Sequence, residues 1–164
     1  MQLESGDNIG TNDDLAAHML RKSTKKLRCA EEDYKRACKD GVDGDFDDSA
    51  SRSYYAVLFA IQALHAMDGK AFARHGQAVG EFNKTYIKTG VFDRSYGTIV
   101  MDMMMRRHTG DYDPQIDISK SSAKECLDWS KKITTDIKKY FTKQYPKAWR
   151  IYKKICPQKL EKLP

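Results

Sequence analysis

The sequence predicts an all-α fold, an up-and-down antiparallel bundle of about five helices followed by a short C-terminal helix or tail. Apolar residues recur at three- and four-residue steps through most of the chain, which is the spacing of one helix face. No stretch alternates apolar and polar residues for more than a few positions, so strands are not expected. Glycines and prolines separate the helical segments by short turns, and helices joined in this way pack antiparallel. The 164 residues are enough for one domain with its own core.

The first helix is predicted over residues 12–39. Asn12 is the expected N-cap, Asp13 and Asp14 suit the positive start of a helix, and Gly41 ends it. Its apolar residues repeat at helical spacing: Leu15, Met19, Leu27, Ala30, Tyr34 and Ala37. Lys and Arg fill the positions between them, which indicates an amphipathic helix with one buried face.

The second helix, predicted over residues 46–67, has apolar or aromatic residues on two sides. The core seam is formed by Tyr54, Val57, Ile61 and Leu64. At 100° per residue, a second group falls within about 80° of arc on another side, and it consists of Arg52, Tyr55, Phe59, Gln62 and Ala66. A helix with apolar residues on two sides packs against other groups on both of them. The second cover is another helix of the chain, a partner subunit or a ligand.

Three further helices and a short C-terminal segment follow. The third is predicted over 75–89 and ends at Gly90, and the fourth begins at the cap Asp93, runs to about 108 and ends at Gly110. Pro114 then forbids helix through the residue before it. The fifth helix starts near 119 or 121 and extends to Pro146, and residues 147–155 form a sixth helix or an ordered tail.

The charge distribution divides the chain into a flexible N-terminal tail (1–11), a bundle (12–145) and a basic C-terminal extension (146–164). Residues 131–164 carry a net charge of +9, whereas the preceding 130 residues carry −3. A basic end with interleaved aromatic residues suits nucleic acid, through phosphate attraction and base stacking. The candidate contacts are Lys147, Arg150, Lys153 and Lys154. The alternative is a solvated helix face whose aromatic residues pack on the bundle.

Several classes of site and of location are disfavoured by the residues present. The polar start is unlike a signal peptide, and no apolar run approaches the roughly 18 residues of a membrane span, so a cytoplasmic protein without membrane association is expected. The four cysteines are widely and irregularly spaced, which indicates reduced thiols. No pair of histidines has metal-ligand spacing, and no glycine-rich phosphate loop is present. We therefore expect neither a metal nor a cofactor.

A polar cluster at residues 106–113 is the strongest candidate for chemistry. Arg107 lies in the last predicted turn of the fourth helix, and Asp111, past the glycine, can fold back to accept a bidentate bond from it. In one interpretation this pair locks the turn and Tyr112 plugs the end of the bundle. In the other, Arg107 remains available for a phosphate, and Tyr112 serves for stacking or proton handling.

Four short motifs, in this order, resemble the HEPN domain family, and they lie at residues 49–56, 74–76, 82–90 and 107–113. The resemblance covers about residues 12–142 and is closest to the stand-alone branch often encoded beside minimal nucleotidyltransferases. It implies a helical bundle that dimerises through the helices bearing the polar signature. It also implies a homodimer that engages a minimal nucleotidyltransferase, a nucleotide or RNA. The expected ligand-binding residues are Arg52, Tyr55, Arg106, Arg107, His108, Asp111 and Tyr112.

Many members of that family cleave RNA without a metal, using an arginine followed four to six residues later by a histidine. Here no histidine follows Arg106 or Arg107 at that distance, which weakens the nuclease hypothesis, since histidine is the side chain suited to proton exchange near neutral pH. His75 could approach the same groove from another helix. The first hypothesis is therefore a binding and interaction module. The alternatives are a metal-independent endoribonuclease of a toxin–antitoxin or defence system, with Arg107, Asp111, Tyr112 and His75 as its catalytic residues, and a purely structural adaptor.

Overall fold

Six α-helices and one π-helical segment form the part of the chain that the computed structural model describes, residues 11–41 and 44–156. They are α1 (Asn12–Asp40), α2 (Asp47–Met67), α3 (His75–Phe82), the π-helical segment (Asn83–Ile87), α4 (Ser95–Tyr112), α5 (Lys120–Gln144) and α6 (Pro146–Ile155). The described ranges contain no β-strand, and the predicted all-α bundle is confirmed. Residues 1–10 of the predicted N-terminal tail, the linker residues 42–43 and residues 157–164 of the predicted extension lie outside the described residues.

The start of α1 is fixed by Thr11 and not by Asn12, as the sequence had suggested. The backbone N–H of Asp14 donates to the Thr11 hydroxyl at 3.2 Å, and the Thr11 N–H donates to the Asp14 carboxylate at 3.1 Å. These two reciprocal bonds satisfy N–H groups at the N-terminus that have no acceptor within the helix. Asn12 is already helical. At the other end α1 stops at Gly41, which has φ +69°, as expected for a glycine stop signal.

α2 lies at the centre of the bundle and packs against α1, α3, α4 and α5. Its predicted core seam, Tyr54, Val57, Ile61 and Leu64, is fully buried. On the second side, Tyr55, Phe59 and Gln62 are only half-buried. Lys22 of α1 lies 5.5 Å from the centre of the Phe59 ring, and Lys26 lies 5.9 Å from that of Tyr55. The chain therefore covers this side of α2 only in part.

The predicted third helix changes type half-way. After α3 the backbone adopts π-helical bonding, in which the N–H of Lys88 donates to the carbonyl of Asn83 at 2.9 Å. A π turn contains one extra residue and shifts the side chains that follow it. Here Tyr86 becomes buried, and its hydroxyl donates to Asp68 at 2.6 Å. The segment ends at Ile87, and the turn that follows reaches Gly90, with φ +79°, where the sequence places the stop.

α4 extends to Tyr112, so the prediction that it ends near residue 108 at Gly110 is wrong. Gly110 is helical and has no positive φ. Its role is close approach: a Cβ at this position would lie 3.0 Å from Cγ1 of Ile118 and 3.4 Å from Oδ1 of Asp47. The same Asp47 oxygen accepts the backbone N–H of Ile118 at 2.7 Å. The absent side chain thus lets the segment after α4 pack against the start of α2.

The last two helices close the bundle. Ser119 caps α5 by accepting the N–H of Ser122 at 3.1 Å. α6 packs on α1 and α5 and buries Ala148 and Tyr152, whose hydroxyl lies 2.8 Å from that of Thr24. The part of the predicted extension from Pro146 to Ile155 therefore forms a helix packed on the bundle.

Two further expectations concern thiols and membranes. All four cysteines are free thiols, two of them buried, which agrees with their irregular spacing. Within residues 11–41 and 44–156, no helix combines the length and the apolar character that crossing a lipid bilayer requires.

Candidate functional site

The candidate site forms where the C-terminal turn of α4 meets the first half of α2, and Arg107 is at its centre. The guanidinium carbon lies 5.1 Å from the ring centre of Tyr55 on α2 and 5.4 Å from that of Tyr112, five residues further along α4. The side chain is 18% exposed. A cation at this distance from two aromatic rings is attracted to the negative charge of both ring faces. Arg107 is thereby held in place while remaining accessible at the surface.

Asp111 lies one helical turn beyond Arg107 and neutralises it. Arg107 Nε is 2.9 Å from Asp111 Oδ2, and the same oxygen accepts a long hydrogen bond, 3.5 Å, from the hydroxyl of Ser51 on α2. The Arg107 Nε is buried, and its N–H is not aligned with an acceptor. Within the described part of the chain, no guanidinium N–H of Arg107 makes an aligned hydrogen bond. The Arg107 guanidinium is therefore positioned by the charge of Asp111, and its N–H groups remain available as hydrogen-bond donors.

Tyr54 lies within the electrostatic influence of Arg107 and is fully buried. Its hydroxyl has no hydrogen-bond partner among the described residues. Burial raises the pKa of Tyr54 to about 12, and the nearby Arg107 opposes this shift. The phenol is therefore neutral at physiological pH and is a potential donor, since phenolate formation would place a charge in the core.

His75, the first residue of α3, joins the same cluster. Its ring centre is 5.8 Å from that of Tyr55 in an edge-on arrangement and 6.2 Å from that of Tyr54. Tyr55 is thus in contact with both the imidazole and the Arg107 guanidinium. His108 lies on the outer side of α4, exposed, with its ring centre 4.9 Å from that of Tyr112.

Arg52, which the sequence predicts to line the same cleft as Arg107, is paired with a carboxylate of α1. Arg52 forms a 2.9 Å ion pair with Asp33 of α1. Burial raises the pKa of Asp33, and Arg52 opposes that shift. Arg52 instead fastens α2 to α1 beside the site.

Arg106 points away from the site and connects α4 to α5. It binds Asp102 through two bonds of 3.0 and 2.9 Å, Glu125 at 2.7 Å and the Ser122 hydroxyl at 2.9 Å. Its guanidinium carbon lies 4.9 Å from the ring centre of Trp129. The N–H donors of the Arg106 guanidinium are therefore occupied by these partners. The structure therefore places this predicted ligand-binding residue in a clamp between helices.

The basic residues of α6 belong to a separate surface. Lys147 lies 3.9 Å from Asp13, Arg150 donates to the carbonyl of Pro146 at 3.4 Å, and Lys153 lies over Trp149, whereas Lys154 is exposed. α6 packs on α1 and α5 and makes no contact with α4 in the described residues. These cations do not extend the Arg107 site.

Two members of the cluster, Ser51 and Tyr54, were not among the predicted site residues. Ser51 is one turn before Tyr55 on the same side of α2, so the helical repeat is a signal that could have identified it. Tyr54 was assigned to the core, where it does lie. Only the arrangement of α4 against α2 shows that its hydroxyl is close to a cation.

Comparisons with known proteins agree with this fold. The family model of the HEPN domain matches residues 24–151, a range that includes every residue of the cluster. A UPF0332 protein from Thermotoga maritima is 30% identical over 84 residues, which are 51% of this chain and 61% of that protein. A protein from Methanocaldococcus jannaschii, named as a putative toxin, is 26% identical over 122 residues, 74% of this chain and 78% of its own. The first match thus spans about three fifths of the relative's length.

Proposed function

Because the chain belongs to the HEPN domain family, we propose that it is a binding and interaction module that holds a nucleotide or RNA in a polar groove around Arg107, Asp111 and Tyr112. One observation carries the proposal. The Arg107 guanidinium is fixed between two tyrosine rings, yet within the described part of the chain none of its N–H groups makes an aligned hydrogen bond. A prepositioned guanidinium with free donors is suited to a phosphate group.

The chemistry of the groove follows from these contacts. A phosphate can take two parallel hydrogen bonds from a guanidinium, and Asp111 is the anion it would replace. The ring of Tyr112 is 64% exposed and offers a face on which a base can stack. Without ligand, Asp111 balances the charge of Arg107 and keeps its side chain in one position. The groove is thus preorganised for an anionic, aromatic ligand.

The homodimer is part of the same proposal and is supported by the outer face of α4. Met101, Met105 and Tyr112 are 40%, 65% and 64% exposed, and His108 is also exposed. These four residues lie within about 60° of arc on the helix. Two such faces meeting through Met101 and Met105 would bury apolar surface and bring two Arg107 sites together, with Tyr112 at the edge of the interface. Met105→Glu should shift the protein to monomer in analytical ultracentrifugation, whereas a monomeric parent protein would refute the dimer.

The partner protein is proposed on the resemblance to the branch of stand-alone HEPN proteins. A minimal nucleotidyltransferase is the expected partner, since members of that branch are often encoded beside one. Mixing the purified proteins and measuring association by calorimetry tests this. Failure to associate at micromolar concentration would leave the nucleotide or RNA ligand as the only partner in the proposal.

Ligand binding can be tested by thermal unfolding. ATP or a nine-nucleotide oligouridylate at ten times its Kd should stabilise the fold by about 1.4 kcal/mol, a rise in Tm of roughly 3–6 °C for a domain of this size. Arg107→Ala should remove the rise. Arg94→Ala, an exposed arginine at the other end of α4, is the matched control and should keep it. Equal rises in both variants would contradict the proposed site.

A second candidate function, metal-independent RNA cleavage, is favoured by the position of His75. Its imidazole contacts Tyr55, whose ring also contacts Arg107, so a group able to exchange protons lies beside the phosphate-binding cation. In that reaction a 2′-hydroxyl loses its proton to a base, attacks the adjacent phosphorus and expels the 5′-oxygen, which takes up a proton. Arg107 would stabilise the charge that develops on the phosphate.

The experiment that separates the two functions uses RNA and a chelator. A ribonuclease of this kind cleaves single-stranded RNA in EDTA, and His75→Ala and Arg107→Ala each abolish cleavage. If the RNA is bound but stays intact after long incubation, the nuclease function is refuted and only the binding function remains. The relative named as a putative toxin adds support to this candidate but does not decide between them.

A further inference from the structure

We infer that the Arg107 site is one end of a longer groove between α1 and α2 that binds single-stranded nucleic acid along several nucleotides. The inference rests on the proposed function and specifies its ligand. The groove is the half-covered second side of α2, where Tyr55, Phe59 and Gln62 form the floor. Lys22 and Lys26 of α1 form one wall, and their ammonium groups lie close to the rings of Phe59 and Tyr55.

The wall provided by α1 is strongly basic. Residues 15–30 contain Arg21, Lys22, Lys25, Lys26 and Arg28 and no acidic residue. Only Arg28 of these five pairs with a carboxylate in the described part of the chain, at 3.0 Å from Glu32. Cations that no carboxylate neutralises on one wall attract a phosphate backbone, and binding releases the counterions of that backbone. An acidic polymer therefore fits this wall.

The floor is suited to bases. Tyr55 and Phe59 lie one turn apart on the same side of α2, with ring centres 6.4 Å apart, and both are half-buried. A partly exposed aromatic ring beneath a lysine has the arrangement used for single strands, in which bases stack on rings while phosphates meet cations. Tyr55 belongs to both regions, since Arg107 and Lys26 each lie near its ring. The floor is therefore continuous with the Arg107 site.

The far end of the groove is a small cavity of about 130 Å³ lined by Leu15, Met19, Gln62, His65 and Phe72, among others. His65 is 1% exposed, and its Nε2 lies 2.8 Å from the carbonyl of Ala78. Because a carbonyl oxygen only accepts, Nε2 carries the proton of this hydrogen bond. Burial lowers the pKa of His65, which favours the neutral ring and leaves Nδ1 unprotonated. Nδ1 has no partner among the described residues. The apolar cavity beside it is large enough to take part of a base at the far end of a strand.

The dimensions favour a short strand over a mononucleotide. Tyr55 and Ala66, at the two ends of the floor, are eleven helical steps apart, which corresponds to about 17 Å of helix. A single nucleotide at Arg107 would leave Phe59, Lys22 and the cavity unused. Several nucleotides in extended conformation would contact all of them. We therefore expect affinity to increase with the length of the strand.

The test is a fluorescence-anisotropy titration with labelled oligouridylates of two and nine nucleotides. For the wild type the longer strand should bind roughly tenfold tighter at 50 mM salt, and the double variant Lys22→Gln/Lys26→Gln should lose this gain while binding the dinucleotide unchanged. Removing two phosphate contacts should also reduce the slope of log K against log salt by about 1.4. Phe59→Ala should weaken binding of the longer strand by about 5- to 100-fold.

The control is Lys39→Gln/Lys88→Gln, which removes the same charge from two exposed lysines outside the groove and should retain the gain with length. A groove double variant that behaves like this control would overturn the inference. If Arg107→Ala still abolished dinucleotide binding, the proposed function would stand without the groove. Absence of binding by the wild type to either strand would overturn both. If the groove variants changed the sedimentation coefficient but not RNA affinity, the occupant would be a protein, which also overturns the inference.

Discussion

Replacing Arg106 by alanine should weaken the bundle without affecting the ligand binding that we propose at the neighbouring Arg107. Arg106 is 24% exposed and joins α4 to α5 through Asp102, Glu125 and the hydroxyl of Ser122. At the other end of α4 the hydroxyl of Tyr96 donates to Asp136 of α5, so Arg106 holds the C-terminal half of α4 against α5. The substitution removes all of these bonds and the contact with Trp129 at once.

The magnitude can be estimated bond by bond. The pair with Asp102 lies one turn apart on a helix and contributes about 0.5 kcal/mol. The pair with Glu125, whose side chain is 49% exposed, contributes at most about 1 kcal/mol because solvent screens it. The Ser122 hydrogen bond and the cation–π contact with Trp129 add about 1 kcal/mol each. We expect the free energy of unfolding to fall by about 2–3 kcal/mol.

Urea denaturation followed by circular dichroism measures this difference. With a slope of about 2 kcal/mol per molar for a small domain, the midpoint should fall by roughly 1 M. Arg94→Ala, exposed at the start of α4, should change stability by less than about 0.5 kcal/mol. A double-mutant cycle with Glu125→Ala should give a coupling energy of about 0.5–1 kcal/mol.

Two results would refute this reasoning. Loss of less than 1 kcal/mol in Arg106→Ala would show that the clamp contributes little to the packing of α4 on α5. Folded Arg106→Ala protein that no longer binds oligouridylate would place Arg106 in the ligand site, as its position in the sequence had suggested. Unchanged affinity in the folded variant would support the assignment to the interface.

Three further predictions concern stability. Burial raises the pKa of Tyr54 to about 12, above the unfolded value near 10. Between these values the folded state keeps a proton that the unfolded state has lost, so the free energy of unfolding should fall as pH rises from 10 to 12. Tyr54→Phe should reduce this fall in urea titrations, and an unchanged pH dependence would contradict the reasoning. Gly80→Ala, within α3 and with open space for the added Cβ, should stabilise the fold by about 0.5–1 kcal/mol. Gly90→Ala should destabilise it, because φ at this residue is +79°. Equal Tm values for the two variants would refute the comparison. Tyr152→Ala should cost about 3–5 kcal/mol by calorimetry because α6 loses its buried anchor and its bond to Thr24, and a neutral result would mean that α6 is not part of the bundle.

The fold could be predicted from the sequence because each helix carries a continuous apolar face and ends at a recognisable signal. The exceptions have physical causes. Gly110 looked like a helix stop, but its missing side chain is needed for Ile118 and Asp47 to approach, and these residues are distant from one another in sequence. Asn12 and Thr11 are both acceptable caps, and only the reciprocal bond with Asp14 selects Thr11.

The candidate site could be predicted less completely. Arg107 and Asp111 are one turn apart, so their pairing follows from helical spacing alone. The sequence places Arg106 with them because it is adjacent to Arg107, and Arg52 because it shares the second side of α2 with Tyr55. Adjacent residues on a helix point about 100° apart, and the partners of Arg106 and Arg52 come partly from other helices. Long-range pairing of this kind has no local signature.

The most direct test of the central claim is the ¹H–¹⁵N resonance of the Arg107 Nε group, assigned from its absence in Arg107→Lys protein. If this guanidinium takes the phosphate of a nucleotide or an RNA strand in place of Asp111, titration with oligouridylate should shift the resonance. The Arg106 Nε resonance, held by Asp102, should stay in place. A strand that binds the protein while the Arg107 resonance remains unchanged would contradict the account.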